Sequence, residues 1–489
     1  MSETLDGELR ASVDPFATLD ATDQAELVRR GDATPAELVE AAIARIEAVN
    51  GPINAVTHKL YDQARGRAAR PAGEGAFAGV PFLIKDLLPV AGVPNTSSCR
   101  ALASNIGQVD PPYVEALHAS GLIPVGLTNT PEFGLIDTTE PALFGPSRNP
   151  WDLARSTAGS SGGSGAAVAA GLTPMAHASD GGGSIRLPAS HNGVFGLKPS
   201  RGRNRFAGFP PMPFGLPDVA VDHVLTRSVR DSARMLSLTE DPGTPLGRLG
   251  FVAHPLDRRL RIGLIREGAT GVLPAPEVDA AVVSVAKLCE ELGHTIEPTR
   301  WPFSGEPVLL AFLDEWMVLA AGAVAQTCNA VGCSADEDHF EPWTLELARR
   351  GAALTPERIA GAVRALNEAT HALTAFFETY DVLLSPVMRH APKLLGEHAT
   401  NQPFQDLWDK AVDNVAYTPV FNASGMPAMS VPLNWTSGGL PVGSQFATRL
   451  GGEALLFALA YQLEDARPWA GKWAPHSYPA REPRPRELG

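Results

Sequence analysis

Ala158-Gly159-Ser160-Ser161-Gly162-Gly163-Ser164-Gly165 runs directly into the apolar Ala166-Ala167-Val168-Ala169-Ala170, and a second tract, Asp180-Gly181-Gly182-Gly183-Ser184-Ile185-Arg186, follows a short distance on. Glycine lets backbone N–H groups approach a ligand closely and point in one direction, which is what an oxyanion hole requires. One such tract alone reads equally well as a flexible loop. Two of them, each bearing serine, point to an acyl-transfer site.

Other motifs fit these tracts less well. A phosphate-binding loop needs the GxxxxGK[ST] lysine, which is absent, and GxGxxG is not matched. Gly159-Ser160-Ser161-Gly162-Gly163 does satisfy GxSxG, which would make Ser161 the nucleophile of an α/β-hydrolase-type esterase. That elbow follows a strand, whereas Arg148-Asn149-Pro150-Trp151-Asp152-Leu153-Ala154-Arg155 reads as a polar turn. It also needs a histidine base, and neither His177 nor His191 can be tied to an acid partner.

Outward from the tracts, Val80-Pro81-Phe82-Leu83-Ile84 is a short apolar run ending at Lys85-Asp86, a buried strand that delivers a charge at its end. Ile123 to Leu127, Arg261 to Arg266, Asp381 to Ser385 and Ala428 to Pro432 are further strands. Thr34-Pro35-Ala36-Glu37 carries an N-cap threonine, a first-turn proline and a capping-box glutamate, opening a helix through Leu38, Ala42, Ile46 and Val49. Val278 to Leu292, closed by Gly293, and Thr355-Pro356-Glu357 towards Phe377 are helical as well. Strands alternating with helices make this an α/β chain.

A chain of 489 residues with 44% hydrophobic residues can bury one large core, and the residues 1–489 read as a single domain. A formal net charge of −14 without a basic stripe argues against nucleic acid as partner. Arg481, Arg484 and Arg486 alternate with Pro and Glu and read as a solvated tail. Met1 to Leu19 shows neither a basic start nor an apolar run, and no stretch reads as long and apolar enough to span a bilayer, so the expectation is a cytoplasmic chain without a membrane partner. Cys99, Cys289, Cys328 and Cys333 lack CxxC pairing and read as reduced packing residues. Scattered histidines and the absence of HExxH imply no metal and no other cofactor.

Residues 155 to 200 resemble the amidase signature, a pattern of approximately GGSSGGS, a helix, TDxGGSIRxPA and GxxGLKPT. Here it reads Gly159-Ser160-Ser161-Gly162-Gly163-Ser164, then Asp180-Gly181-Gly182-Gly183-Ser184-Ile185-Arg186-Leu187-Pro188-Ala189, then Gly193-Val194-Phe195-Gly196-Leu197-Lys198-Pro199-Ser200. The likeness extends to Gly79 to Asp86, Thr128 to Phe133, Phe144 to Trp151, Asn422 to Ala428 and Gly439 to Gln445. It implies a large mixed sheet covered by helices on both faces. It further implies Ser184 as nucleophile, Ser160 as a relay serine after a cis peptide, and Lys85 as base. Oxyanion donors would be the N–H groups of Gly181, Gly182, Gly183 and Ser184, and Gly134, Leu135 and Ile136 would line the acyl pocket. Asp180 and Arg186 are expected to pair and shape the nucleophile loop, with Ser161 and Ser164 bonding the same loops. Departures are Ala158 for the leading glycine, Gly181 for a usual threonine or isoleucine, and His191-Asn192 where cysteine is common.

A lysine of ordinary pKa about 10.4 is a poor base at neutral pH, so burial must favour its neutral form, and the apolar run before Lys85 supplies that setting. Asp20 to Arg29, Thr139-Glu140-Pro141 and Asn149 to Leu153 look most similar to the 6-aminohexanoate cyclic-dimer hydrolase group and to related amidases and urethanases. The resemblance therefore implies a stand-alone hydrolase of small amides or carbamates, with a homodimer as the expected assembly. A glutaminase subunit of a tRNA amidotransferase and a silent binding protein are the alternatives. Residues 300–375, carrying Trp301, Phe303, Phe312, Trp316, Phe340 and Trp343, form a variable helical region that caps the pocket or packs the core.

Overall fold

Pro81–Lys85 is a strand of five buried residues, and its alternation decides which layers it joins: Phe82 and Ile84 enter one apolar cluster, Leu83 the opposite one. The computed structural model describes residues 14–208 and 211–481. The readings of a leader at the N-terminus and of Arg484 and Arg486 lie outside the described residues, save for positions 14–19.

Among the described residues, eleven strands form one mixed sheet. Its spatial order is Val56–Lys59, Ile123–Thr128, Pro81–Lys85, Met175–Asp180, Val221–Thr226, Phe195–Lys198, Ala428–Trp435, Pro441–Ala447, Val382–Pro386, Arg261–Leu264, Thr295–Pro298. Pro81–Lys85 runs parallel to both neighbours, so Lys85 and the Ser179-Asp180 end of Met175–Asp180 emerge on one edge. That carboxyl edge is where parallel strands present ligand sites. Helices cover both faces. Gly162–Ala169 lies against the Leu83, Ala176 and Ala178 side, close enough that a Cβ on Gly163 would stand 2.5 Å from the Asn129 nitrogen.

The helix from Thr34 forms as Pro35–Ile53 with a complete capping box, and the two later helices form as Pro356–Thr379 and Pro276–Glu291. Two expectations change. Arg148 to Arg155 is no simple turn: Arg148–Asn149 pairs antiparallel with Asp152–Ser156, because Pro150 and Trp151 let the chain double back. Gly305–Val331 is, by length and composition, apolar enough to cross a membrane, contrary to the sequence reading. Half of its most apolar window is buried, and its side chains pack among those of Pro342–Ala352 and Pro356–Thr379. Cys328 and Cys333 are free thiols, in line with the sequence reading, with sulfurs 3.6 Å apart where Gly332 ends that helix in the left-handed region.

Candidate active site

Lys85 is completely buried, and its Nζ lies 2.7 Å from Ser160 Oγ and 3.0 Å from Ser179 Oγ. Burial is the main reason its pKa falls to about 7, with the charges of Asp222 and Asp180 opposing the fall. An amine with this pKa is in part neutral at neutral pH and can accept a hydroxyl proton. The Gly159–Ser160 peptide is cis. Gly134, on the opposite side, comes so close that a Cβ would stand 3.0 Å from Ser160 Oγ.

The second tract is shaped by one carboxylate. Asp180 Oδ1 accepts from the Gly183 N–H at 2.7 Å, and Oδ2 from Ile185 N–H at 3.1 Å. Arg186 spends all five N–H donors on acceptors: Asp180 twice at 2.9 Å, Asn422 Oδ1 at 2.6 Å, Gln445 Oε1 at 2.8 Å and Thr418 O at 3.0 Å. Burial alone would push the Asp180 carboxyl up; the Arg186 charge and bonds, helped by Lys198 and Asn422, hold it well below the carboxylate range. Gly183 has φ +137, and a Cβ there would meet Thr418 Oγ1 at 2.5 Å, so glycine is required. Its N–H is already committed to Asp180, which corrects the expected donor set: Gly181, Gly182 and Ser184 keep N–H groups without a partner among the described residues.

Ser184 lines a cavity with Gly159, Gly182, Leu135, Ile136, Leu187, Leu309, Phe312, Leu313, Trp316, Trp343, Trp408 and Val412. Gly134 does not line it. Both indole N–H groups of Trp316 and Trp343 donate to the single carbonyl of Leu135, at 3.1 Å each. Their polar edges are therefore spent and the wall is carbon. Asp137, also on the lining, is held by His398 Nδ1 and Asn414 Nδ2 at 2.8 Å each.

The departures from the signature have local causes. Trp316 and Phe312 stack on each other and bring their ring edges against the glycine loop: a Cβ on Gly181 would meet the Trp316 ring at 3.3 Å, and one on Gly182 would meet Phe312 at 3.0 Å. A branched residue at 181 would displace that indole. Ala158 sits at φ +56, where glycine is at ease and alanine is not. Asn192 donates to Thr157 O and Pro188 O at 2.9 Å each, tying its helix to the first tract.

Ser161 is fully buried and its hydroxyl donates to Ser179 O at 3.2 Å, while Ser164 donates to His177 O at 2.7 Å. His177 does have an acid partner, Asp222 Oδ1 at 3.0 Å, contrary to the sequence reading. His191 faces the His390 carbonyl at 3.3 Å, and burial lowers it to about 4. Sequence reasoning quoted Asn422 and Gln445 without a role and missed Trp408 entirely. The first two were visible as motif members; nothing marked the third.

A buried amine beside serine hydroxyls, with free backbone donors at an apolar cavity, is the arrangement of a serine hydrolase. Residues 37–457 match the Amidase family, and the chain belongs to it. AmiC of Mycobacterium tuberculosis is 39% identical over 95% of this chain and 98% of its own. The 6-aminohexanoate-cyclic-dimer hydrolase of Paenarthrobacter ureafaciens is 36% identical over 93% and 96%. A solved 6-aminohexanoate cyclic dimer hydrolase superposes with TM-score 0.86 at 34% identity over 94% of this chain and 99% of that one. A bacterial aryl acylamidase of the amidase signature family gives 0.83 at 28% identity, over 95% and 99%. The chain is thus a hydrolase of non-peptide carbon–nitrogen bonds working through an acyl-enzyme on serine.

Proposed function

We propose that Ser184 is the nucleophile, Ser160 the proton relay and Lys85 the base, acting on small, uncharged, apolar amides, anilides, oligoamides or carbamates. The observation that carries this is the buried Lys85 amine 2.7 Å from Ser160 Oγ at a cavity that Ser184 lines. Ser184 Oγ attacks the carbonyl as its proton passes to Ser160 and the Ser160 proton to Lys85. The oxyanion takes hydrogen bonds from the N–H groups of Gly181, Gly182 and Ser184. On collapse the proton returns through Ser160 to the leaving nitrogen, and water then cleaves the ester by the same route.

The carbon wall and the committed Asp137 support the substrate class. The charged ends of glutamine would find no free counter-charge on the lining, which weighs against a glutaminase subunit. Gly305–Val331 and Pro342–Ala352 supply much of the wall, so we read residues 300–375 as a cap on a single catalytic domain. A cytoplasmic homodimer without nucleic-acid or membrane partners completes the reading, and light scattering checks the dimer. The functional test is turnover of an anilide, a linear oligoamide, an aryl carbamate, an ester and glutamine by wild type and Ser184→Ala. Cleavage of the apolar amides or carbamates, abolished in Ser184→Ala, is expected; glutamine as the best substrate sinks the substrate class, and an active Ser184→Ala sinks the nucleophile.

A further inference from the structure

Behind Lys85 the molecule holds polar side chains that the reaction above does not use. Asp222 is 4% exposed and stands directly across the antiparallel pair from Ser179, the residue whose hydroxyl contacts Lys85 Nζ at 3.0 Å. Directly paired residues on adjacent strands hold their Cβ atoms about 4.5–5.5 Å apart on one face. Asp222 therefore lies within a side chain's reach of the Lys85 amine. Its Oδ1 is bonded by His177 Nε2 at 3.0 Å, while His177 Nδ1 is buried with no partner among the described residues.

The surroundings of Asp222 can be named. Asp180, at the end of the neighbouring strand, is already engaged by Arg186. His223 follows Asp222 on its own strand and faces Ser232 at 2.8 Å. The Tyr113 ring lies tilted against His177 with centroids 5.8 Å apart, and its hydroxyl is buried with no hydrogen-bond partner among the described residues. Arg186 is thus spent on Asp180, and of the charges acting on Lys85 that of Asp222 raises its pKa the most.

We propose that Asp222, oriented by His177, is the buried counter-charge for the protonated form of Lys85, a positioning residue for the base. When Lys85 takes the serine proton, a cation forms at a fully buried position, and a fixed carboxylate nearby lowers the cost of that cation. No bond is made to Asp222 and no proton need leave it. The inference rests on Lys85 being the base.

The test is the rate at which a fluorophosphonate acylates the enzyme, followed against pH for wild type, Asp222→Asn and Asp222→Glu. Removing the charge disfavours protonated Lys85, so the inflection in Asp222→Asn is expected about one pH unit or more below that of wild type, and Asp222→Glu is expected to restore it. An unmoved inflection with a uniformly lower rate overturns the proposal. If Asp222→Asn does not fold, Asp222→Ser replaces it, and failure of both makes the residue structural and overturns the proposal too. Lys85→Met separates the two readings: if it still acylates, the base assignment is at fault, whereas an inactive Lys85→Met beside an unmoved Asp222→Asn inflection removes the counter-charge alone.

Discussion

Lys85 and Lys198 both end strands of the central sheet, both are buried to about 1% exposure or less, and burial lowers both to about 7. Their partners differ. Lys85 Nζ meets two serine hydroxyls beside the cavity, whereas Lys198 Nζ donates to the Pro199 carbonyl at 2.9 Å with the Arg186 charge pressing on it. Desolvation makes a neutral amine in both places. Only the first amine has a proton to take, and so only the first can serve as a base. A like contrast separates the Asp180–Arg186 pair, whose charged atoms are bonded, from the aromatic wall, which offers carbon.

The sharpest way to break this contrast is to replace each lysine by methionine. Lys85→Met should cost on the order of 10²–10⁴ in kcat, while Lys198→Met should leave kcat within a few-fold; steady-state kinetics on one anilide decides it, and equal losses would erase the distinction. Next comes pH. With Lys85 as the proposed base its neutral amine is the active form, and burial lowers it to about 7, so kcat/KM should fall about tenfold per pH unit below that value and be flat above it. A profile flat down to pH 5 would show that no group with the Lys85 value controls the rate.

Smaller effects test the wall. Trp316→Ala removes a ring lying on Gly181 and should lower kcat/KM roughly tenfold for a snugly bound anilide, mainly through KM, while bulkier anilides gain relative to it. A loss confined to kcat, equal for all substrates, would place Trp316 in the chemistry instead. The smallest change is Ala158→Gly. Relief of the left-handed backbone is worth about 1 kcal/mol and the lost buried methyl costs about as much, so the midpoint of thermal unfolding should barely move. A drop of more than a few degrees would mean that the Ala158 methyl matters more than its backbone conformation.

The legible features were those with short-range physical causes. An apolar run stopping at Lys85 must end a buried strand, and Thr34 with Glu37 must open a helix whatever else surrounds them. Asp180 and Arg186, six residues apart across a glycine loop, could meet without help from the rest of the fold. The aromatic residues of 300–375 could not be sorted in advance: Phe340 is core, while Phe312, Trp316 and Trp343 wall the cavity. Sequence spacing says a ring faces inward, but core and cavity are both inward. The apolarity of Gly305–Val331 was misread for a related reason, since a helix packed among other helices is greasy on most of its faces.

By itself the sequence determined the kinds of group from which the proposed machinery is drawn: glycines where the backbone must come close, serines beside them, and a lysine at the end of a buried strand. Tertiary structure alone decided which of these groups touch. Lys85 reaches Ser179 across 94 residues of chain because two parallel strands end at one edge, and Asp222 faces Ser179 because of the register of a third. Tryptophans 181 and 208 residues from Leu135 turn their N–H groups to its carbonyl, and that removes polarity from the pocket. Such contacts depend on strand register and helix docking, which are set by the packing of the whole core and leave no local mark on the residues that make them.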